Sequence, residues 1–181
     1  IRQPEINLLD PVLKIAADEI EKAQLDRPFI KVAGICGSTD AAIGEAELAV
    51  KYGYHLGLVS MGGLASYSEK ELIKRVEAVS EIIPVLGFYL QPAVGGRVLS
   101  YEFWKDFAEI SNVQAIKVAA FNRYQTLDVV RAVCNSSRRD EIALYTGNDD
   151  NIIADLLTPY QFLVNGEMVE KRFVGGLLGH W

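Results

Sequence analysis

Histidine and cysteine are scarce in this chain, two of each in 181 residues. Cys36 and Cys134 stand in unrelated contexts, with no Cys-x-x-Cys, which excludes a disulfide framework or a cysteine-rich zinc site and fits a reducing, cytoplasmic setting. His55 and His180 are far apart, and no His-x-x-x-His spacing offers metal ligands. The run Asn148-Asp149-Asp150-Asn151 lacks the alternation and distal glutamate of a calcium loop, so a helix cap is the expected role. Basic excess is missing too: the net charge of −6 disfavours nucleic acid or an anionic membrane as the main partner. No apolar run approaches the ~20 residues of a membrane span. Residues 1–5 show no signal-peptide pattern and no initiator methionine, so the expectation is a gene that begins upstream.

What the chain has is a repeat. Apolar segments at Phe29–Gly34, His55–Ser60, Pro84–Tyr89, Val113–Phe121, Glu141–Thr146 and Phe173–Leu178 read as six strands. Between them lie helical patterns with start signals: Ser38-Thr39-Asp40, the Ser68/Glu71 capping box and Ser100, while Asp149 or Asp150 is expected to cap a short helix to Leu157. A further helix, Asp10 to Gln24, is expected to be capped by Asp10 with Pro11 at its first position. Strand starts recur at roughly 26–32 residues, a βα unit repeated with right-handed crossovers and hence a parallel sheet. No Gly-x-Gly-x-x-Gly turn follows any strand, which favours a barrel over a dinucleotide fold. Eight strands and typically ~250 residues make a full barrel. Six strands are therefore expected to be part of a single barrel domain over 1–181, incomplete at both ends.

In such a sheet, ligands sit at the carboxyl ends of the strands. Lys117 interrupts the apolar run Val113–Phe121 late in its strand. A lysine there is either a snorkelling or ion-paired side chain, or an amine whose pKa is lowered by burial and which serves as nucleophile. Lys31 lies early in its strand, where a structural role is expected. Tyr89, Thr146, Gly147 and Asn148 end the strands on either side of Lys117, and Tyr89 is the candidate proton carrier. Gly95-Gly96-Arg97 offers amides and a guanidinium to a carboxylate or phosphate.

Phe88-Tyr89-Leu90-Gln91-Pro92, Gly95-Gly96, and then Asn112-Val113-Gln114-Ala115-Ile116-Lys117 resemble the dihydrodipicolinate synthase and N-acetylneuraminate lyase family, with its Tyr-Asn-x-Pro motif, downstream Gly and Gly-Ile-Lys strand. Val32-Ala33-Gly34 with Ser38–Ala42, Tyr145–Asp149 and Gly175–Gly179 resemble the family's third strand, seventh-strand end and eighth strand. The resemblance implies a TIM (β/α)8 barrel of which this chain supplies about strands three to eight. It implies a Schiff base between Lys117 and pyruvate or a related 2-oxo acid, proton transfer by Tyr89, substrate contacts from Arg97, Gly147, Asn148 and Leu178, no cofactor or metal, an aldehyde as second substrate, and a homo-oligomer. Departures stand beside it: Met61-Gly62-Gly63-Leu64 replaces a Pro-Tyr-Tyr, Leu90 an Asn, and Val118 an acidic residue, and Arg97 is offset. A phosphate-binding barrel isomerase using Gly95-Gly96-Arg97, and a non-catalytic homologue that binds a 2-oxo acid, are the alternatives.

Overall fold

Four of the five βα units form where an apolar run meets a helix with a side-chain cap. The computed structural model describes residues 1–3 and 5–177. In chain order it contains α1 (Leu9–Lys22), β1 (Val32–Ile35), α2 (Thr39–Lys51), β2 (Leu56–Ser60), α3 (Glu69–Ser80), β3 (Val85–Leu90), α4 (Tyr101–Glu109), β4 (Val113–Ala119), α5 (Arg123–Asn135), β5 (Ala143–Thr146), α6 (Ile152–Leu157), β6 (Tyr160–Val164), β7 (Glu167–Lys171) and β8 (Phe173–Gly176). The six strands of the repeat form one parallel sheet in the order β1-β2-β3-β4-β5-β8, and β1 and β8 are its edges among the described residues. No helix among those residues is long and apolar enough to cross a membrane.

Caps explain most helix starts. Ser38, Ser68 and Ser100 each accept a first-turn amide, Ser68 in a complete capping box with Glu71. Asn122 accepts from the amides of Tyr124 and Gln125 at the head of α5. Two expected caps are corrected. Asp10 lies inside α1, whose cap position is Leu8, because its carboxylate accepts the Tyr52 hydroxyl instead. Asp149 and Asp150 lie in a 3-10 turn (Asp149–Asn151), and α6 starts at Ile152 with Asn151 at its cap position and no side-chain cap.

The second correction of shape is a hairpin. β6 and β7 pair antiparallel around Asn165-Gly166, both in the left-handed region (φ 50° and 87°), as a two-residue hairpin turn requires. Tyr160, Phe162 and Val164 turn their side chains towards the core, and the strands lie over α5.

The two faces of the sheet differ. Phe88 pairs with Lys117 and Lys117 with Tyr145, so these three share one face; Tyr89, Val118 and Thr146 share the other. The second face takes the helices. A Cβ on Gly87 would lie 2.6 Å from the Phe107 ring, so glycine lets α4 approach β3. Tyr89, Phe103, Trp104 and Phe107 form an aromatic cluster with ring centroids 5.1–5.9 Å apart. Such pairs contribute roughly 0.5–1.5 kcal/mol each beyond area burial. The first face is only partly covered: Phe88, Leu90, Lys117 and Tyr145 are half-buried and Val32 is 38% exposed.

Candidate active site

The strand that carries Lys117 is held by its β-branched neighbours. Ile116 and Val118 are fully buried against the helices, which turns Lys117 to the opposite face. There it lines a pocket of about 250 Å³ at the carboxyl ends of β3, β4 and β5, with Phe88, Leu90, Phe121, Asp149 and Leu177 among its walls. The amine lies 4.9 Å from the centroid of the Phe88 ring. Burial pushes the amine's pKa below its ordinary 10.5, and the carboxylate of Asp149 opposes that shift without overcoming it. The acid that acts on Lys117 therefore lines the pocket and does not stand beside it in the strand.

Gly147 sits directly against the lysine. A Cβ there would be 2.8 Å from Lys117 Cε and 3.0 Å from Ala119 Cβ. Glycine at the end of β5 leaves the space the lysine stem occupies.

Behind Gly147 lies a buried polar network. Asn148 is 1% exposed and its amide is fully engaged: Oδ1 accepts from the Phe121 amide at 2.9 Å, and Nδ2 donates to Thr126 Oγ1 and Asp155 Oδ2. Phe121 has φ 51°, unusual for a residue other than glycine, and Asn148 pins that amide. Asn148 therefore shapes the pocket rim through Phe121, a correction to its expected place as a direct substrate contact. Asp155 is fully buried and accepts from Thr146 Oγ1 (2.6 Å), Arg123 Nη1 (2.6 Å) and the Tyr160 hydroxyl (2.7 Å) as well. Burial alone would raise its pKa, but these donors hold it below the ordinary carboxylate value. The Tyr160 hydroxyl is pushed up to about 12, by burial first and then by Asp155.

Tyr89 is the main correction. Its side chain lies on the helix face, fully buried, with its ring centroid 5.1 Å from that of Trp104. Its hydroxyl donates to the Leu99 carbonyl and accepts the Leu99 amide. The strand pleat sends Tyr89 and Lys117 to opposite faces, and the residue facing Lys117 is Phe88. Arg97 is also placed elsewhere: Nη1 donates to the carbonyls of Leu64 (3.0 Å) and Tyr67 (2.8 Å), tying two loops together. The amides of Gly95 and Gly96 donate to Pro92 and Gln91 carbonyls, so this loop does not form the expected anion cradle, and the isomerase alternative loses its site. A Cβ on Gly96 would lie 1.8 Å from the Leu90 carbonyl, which accounts for that glycine.

Lys31 lies just before β1, at the opposite end of the sheet, where Nζ donates to the Tyr52 carbonyl. His55 is at that end too, accepting the Lys31 amide on Nδ1. Leu178 and His180 lie outside the described residues; Leu177, just before them, lines the pocket. A larger cleft of about 490 Å³, between Glu109, Ser137 and Asn165, is remote from Lys117. Glu109 there already accepts the hydroxyl and amide of Ser137. No group of three or more metal-ligating side chains occurs among the described residues. Phe88, Phe121 and Asp149 are among the pocket residues that the motifs did not assign to the site. Asp149 was legible as a carboxylate two residues past Gly147; the two rings had no signal apart from register.

No family model matches the chain. It is 28% identical over 142 residues to a 4-hydroxy-tetrahydrodipicolinate synthase of Clostridium novyi, a match covering 78% of this chain and 45% of that protein. The 4-hydroxy-tetrahydrodipicolinate synthase of Methylacidiphilum fumariolicum superposes with a TM-score of 0.69 at 20% identity, over 93% of this chain and 50% of that one. A dihydrodipicolinate synthase of Acinetobacter baumannii, solved with pyruvate, superposes with a TM-score of 0.64 at 21% identity, over 80% and 48%. The chain thus spans about half the length of the relatives it matches. The resemblance read from the motifs stands, and with it the fold class: a (β/α)8 barrel of which this chain supplies about strands three to eight.

Proposed function

We propose that this chain carries the lysine half of a Schiff-base lyase or aldolase that makes or breaks a carbon–carbon bond next to the carbonyl of pyruvate or a related 2-oxo acid. One observation carries this reading: Lys117 is a half-buried amine with a lowered pKa, in a pocket at the carboxyl end of its strand, with Gly147 leaving room for its stem. A neutral amine at that place is a nucleophile. It adds to the 2-oxo carbon, water leaves, and a protonated imine results. The imine withdraws electrons from the adjacent carbon, which loses a proton to become an enamine. The enamine carbon then attacks an aldehyde, and hydrolysis of the imine returns the free amine. Tyr89, on the other face, takes no part in these proton transfers. Asp149 is the carboxylate within the pocket and the candidate to receive and return the proton.

The test is reductive trapping. Full-length protein incubated with pyruvate and borohydride should gain one adduct, on the peptide containing Lys117. Lys117→Arg should abolish it, because a guanidinium stays protonated. Lys31→Arg should leave it intact. An adduct on Lys31, or none with any 2-oxo acid, would sink the proposal, and the second result would favour a homologue that binds without catalysing.

A further inference from the structure

Two residues that meet the Lys117 pocket stand on either side of one that does not. Gly147 and Asp149 line it, while Asn148 between them is buried behind it. The partners of Asn148 define what its side chain must be. The Phe121 amide can only donate, which fixes Oδ1 on that side. On the other side Nδ2 meets Thr126 Oγ1 at 3.1 Å and Asp155 Oδ2 at 3.0 Å. The Thr126 hydroxyl already gives its proton to the Asn122 carbonyl, and Asp155, held below the ordinary carboxylate value, has none to give. Both can therefore only accept, and Asn148→Asp would turn an oxygen towards two acceptors.

The backbone of Asn148 is held as well. Its amide donates to Thr146 Oγ1 at 3.2 Å. Its carbonyl accepts the Asn151 amide at 2.9 Å and so closes the 3-10 turn that carries Asp149. Asp155 anchors the group in turn, accepting from Thr146 at the end of β5, Asn148, Arg123 at the head of α5 and Tyr160 of β6. A polar network with every member satisfied is rigid. Gly147 has its own tie, its amide to the Val118 carbonyl. Asp149 is exposed, and the turn beneath it hangs from Asn148.

Resting on the Schiff-base reading above, we infer that Asn148 is a positioning residue for the proton transfer that turns the pyruvate imine into the enamine. It touches neither the substrate nor Lys117. It holds the turn that presents the Asp149 carboxylate to the pocket, where that carboxylate takes a proton from the methyl carbon next to the imine. The step balances without an oxidant. A methyl C–H bond breaks, its electron pair becomes the enamine double bond, the imine nitrogen loses its positive charge, and the proton rests on Asp149 until it is returned.

The experiment uses full-length protein and pyruvate and reads two rates. Borohydride trapping reports the imine, and exchange of the pyruvate methyl protons in deuterated water, followed by NMR, reports the enamine. Asn148→Ala should lower the ratio of exchange to trapping by about ten-fold or more, as when a reacting group is displaced by a fraction of ~1 Å. Asp149→Asn should lower it too, and adding Asn148→Ala to Asp149→Asn should lower it no further, because both act on one group. Thr126→Val removes one acceptor of the Asn148 amide and keeps the shape of the side chain. It should lower the ratio in the same direction, and Thr126→Ser, which keeps the hydroxyl, should restore it. A loss of stability in urea with an unchanged ratio in both Asn148→Ala and Thr126→Val would make Asn148 structural and overturn the inference. An Asp149→Asn protein that exchanges at the wild-type rate, or additive losses in the double variant, would overturn it while the imine stands. If the wild type forms no pyruvate adduct, the imine reading fails and takes this inference with it.

Discussion

Placing one methyl group on Gly147 tests the site most directly. The backbone there is fixed, since the Gly147 amide donates to the Val118 carbonyl at 2.7 Å. Its φ is outside the left-handed region, so alanine is conformationally allowed and the effect is steric. The new Cβ would lie 2.8 Å from Lys117 Cε, 3.0 Å from Ala119 Cβ and 3.2 Å from the Leu177 carbonyl. Ordinary contact begins at 3.4 Å, so Cε must retreat by about 0.6 Å, the difference between those distances. Overpacking of this kind costs about 1–3 kcal/mol; the lysine end can yield, but Ala119 Cβ and the Leu177 carbonyl are held by the backbone, so the whole of that range applies to Gly147→Ala. The rate should suffer as well. Misplacing a reacting group by ~1 Å costs on the order of 100-fold, so pyruvate trapping should slow by about 10–100-fold. Urea unfolding and timed borohydride trapping on full-length protein separate the two effects. Gly44→Ala in α2 is the matched control: its Cβ meets nothing within 4 Å, and it should stabilise by about 0.5–1 kcal/mol with unchanged trapping. A folded Gly147→Ala protein that traps pyruvate within about two-fold of the wild-type rate would refute the placement of Lys117.

Two further outcomes follow from the buried polar groups. Tyr89→Phe leaves the Leu99 amide and carbonyl without their hydroxyl partner, so it should cost about 1–3 kcal/mol in a denaturant titration while trapping proceeds at the wild-type rate; a slowed rate with unchanged stability would return Tyr89 to the site. Asp155→Asn should cost about 2–4 kcal/mol near neutral pH, below the usual range for a broken buried pair because the Arg123 side chain is 40% exposed. The Asp155 pKa is lowered in the folded state, so its contribution is complete above the unfolded value of about 3.9 and drains away as pH falls through the folded value. Urea midpoints of wild type and Asp155→Asn should therefore draw together as pH falls below the ordinary carboxylate range, and a pH-independent gap would contradict the assignment.

The order of strands was legible because each apolar run is bounded by a cap or a turn, and Lys117 was legible because a cation in such a run is rare. Which neighbour faces it was not. Val85 to Leu90 carries no charged or amide side chain on either face, so the run shows no alternation of polar and apolar residues from which to choose between Phe88 and Tyr89. Register decides, and register is a property of the pair of strands. Arg97 was misplaced for another reason: a guanidinium beside two glycines looks free in sequence, while the carbonyls that capture it lie thirty or more positions earlier. The hairpin was within reach, since Asn165-Gly166 between two β-prone runs is a strong local signal. The regular βα spacing drew attention past it.

That hairpin bears on how the chain folds. Every strand from β2 to β5 pairs with the one immediately before it, so each βα unit has a docking edge ready when it emerges. β8 follows β5 across 26 residues, slightly more than the 20 between Ile35 and Leu56 or the 24 between Ser60 and Val85, and it is reached through a hairpin as well as a helix. Hairpins close in about 1–10 μs, faster than a domain of this size forms. Once Tyr160 and Lys171 are paired, those twelve residues no longer count as free loop. The effective gap is nearly halved, which lowers its closure entropy by about 0.5 kcal/mol. The hairpin thus brings β8 to the edge of β5 at a closure cost no greater than that of the other βα connections, so β8 joins the sheet without a penalty for the longer sequence before it.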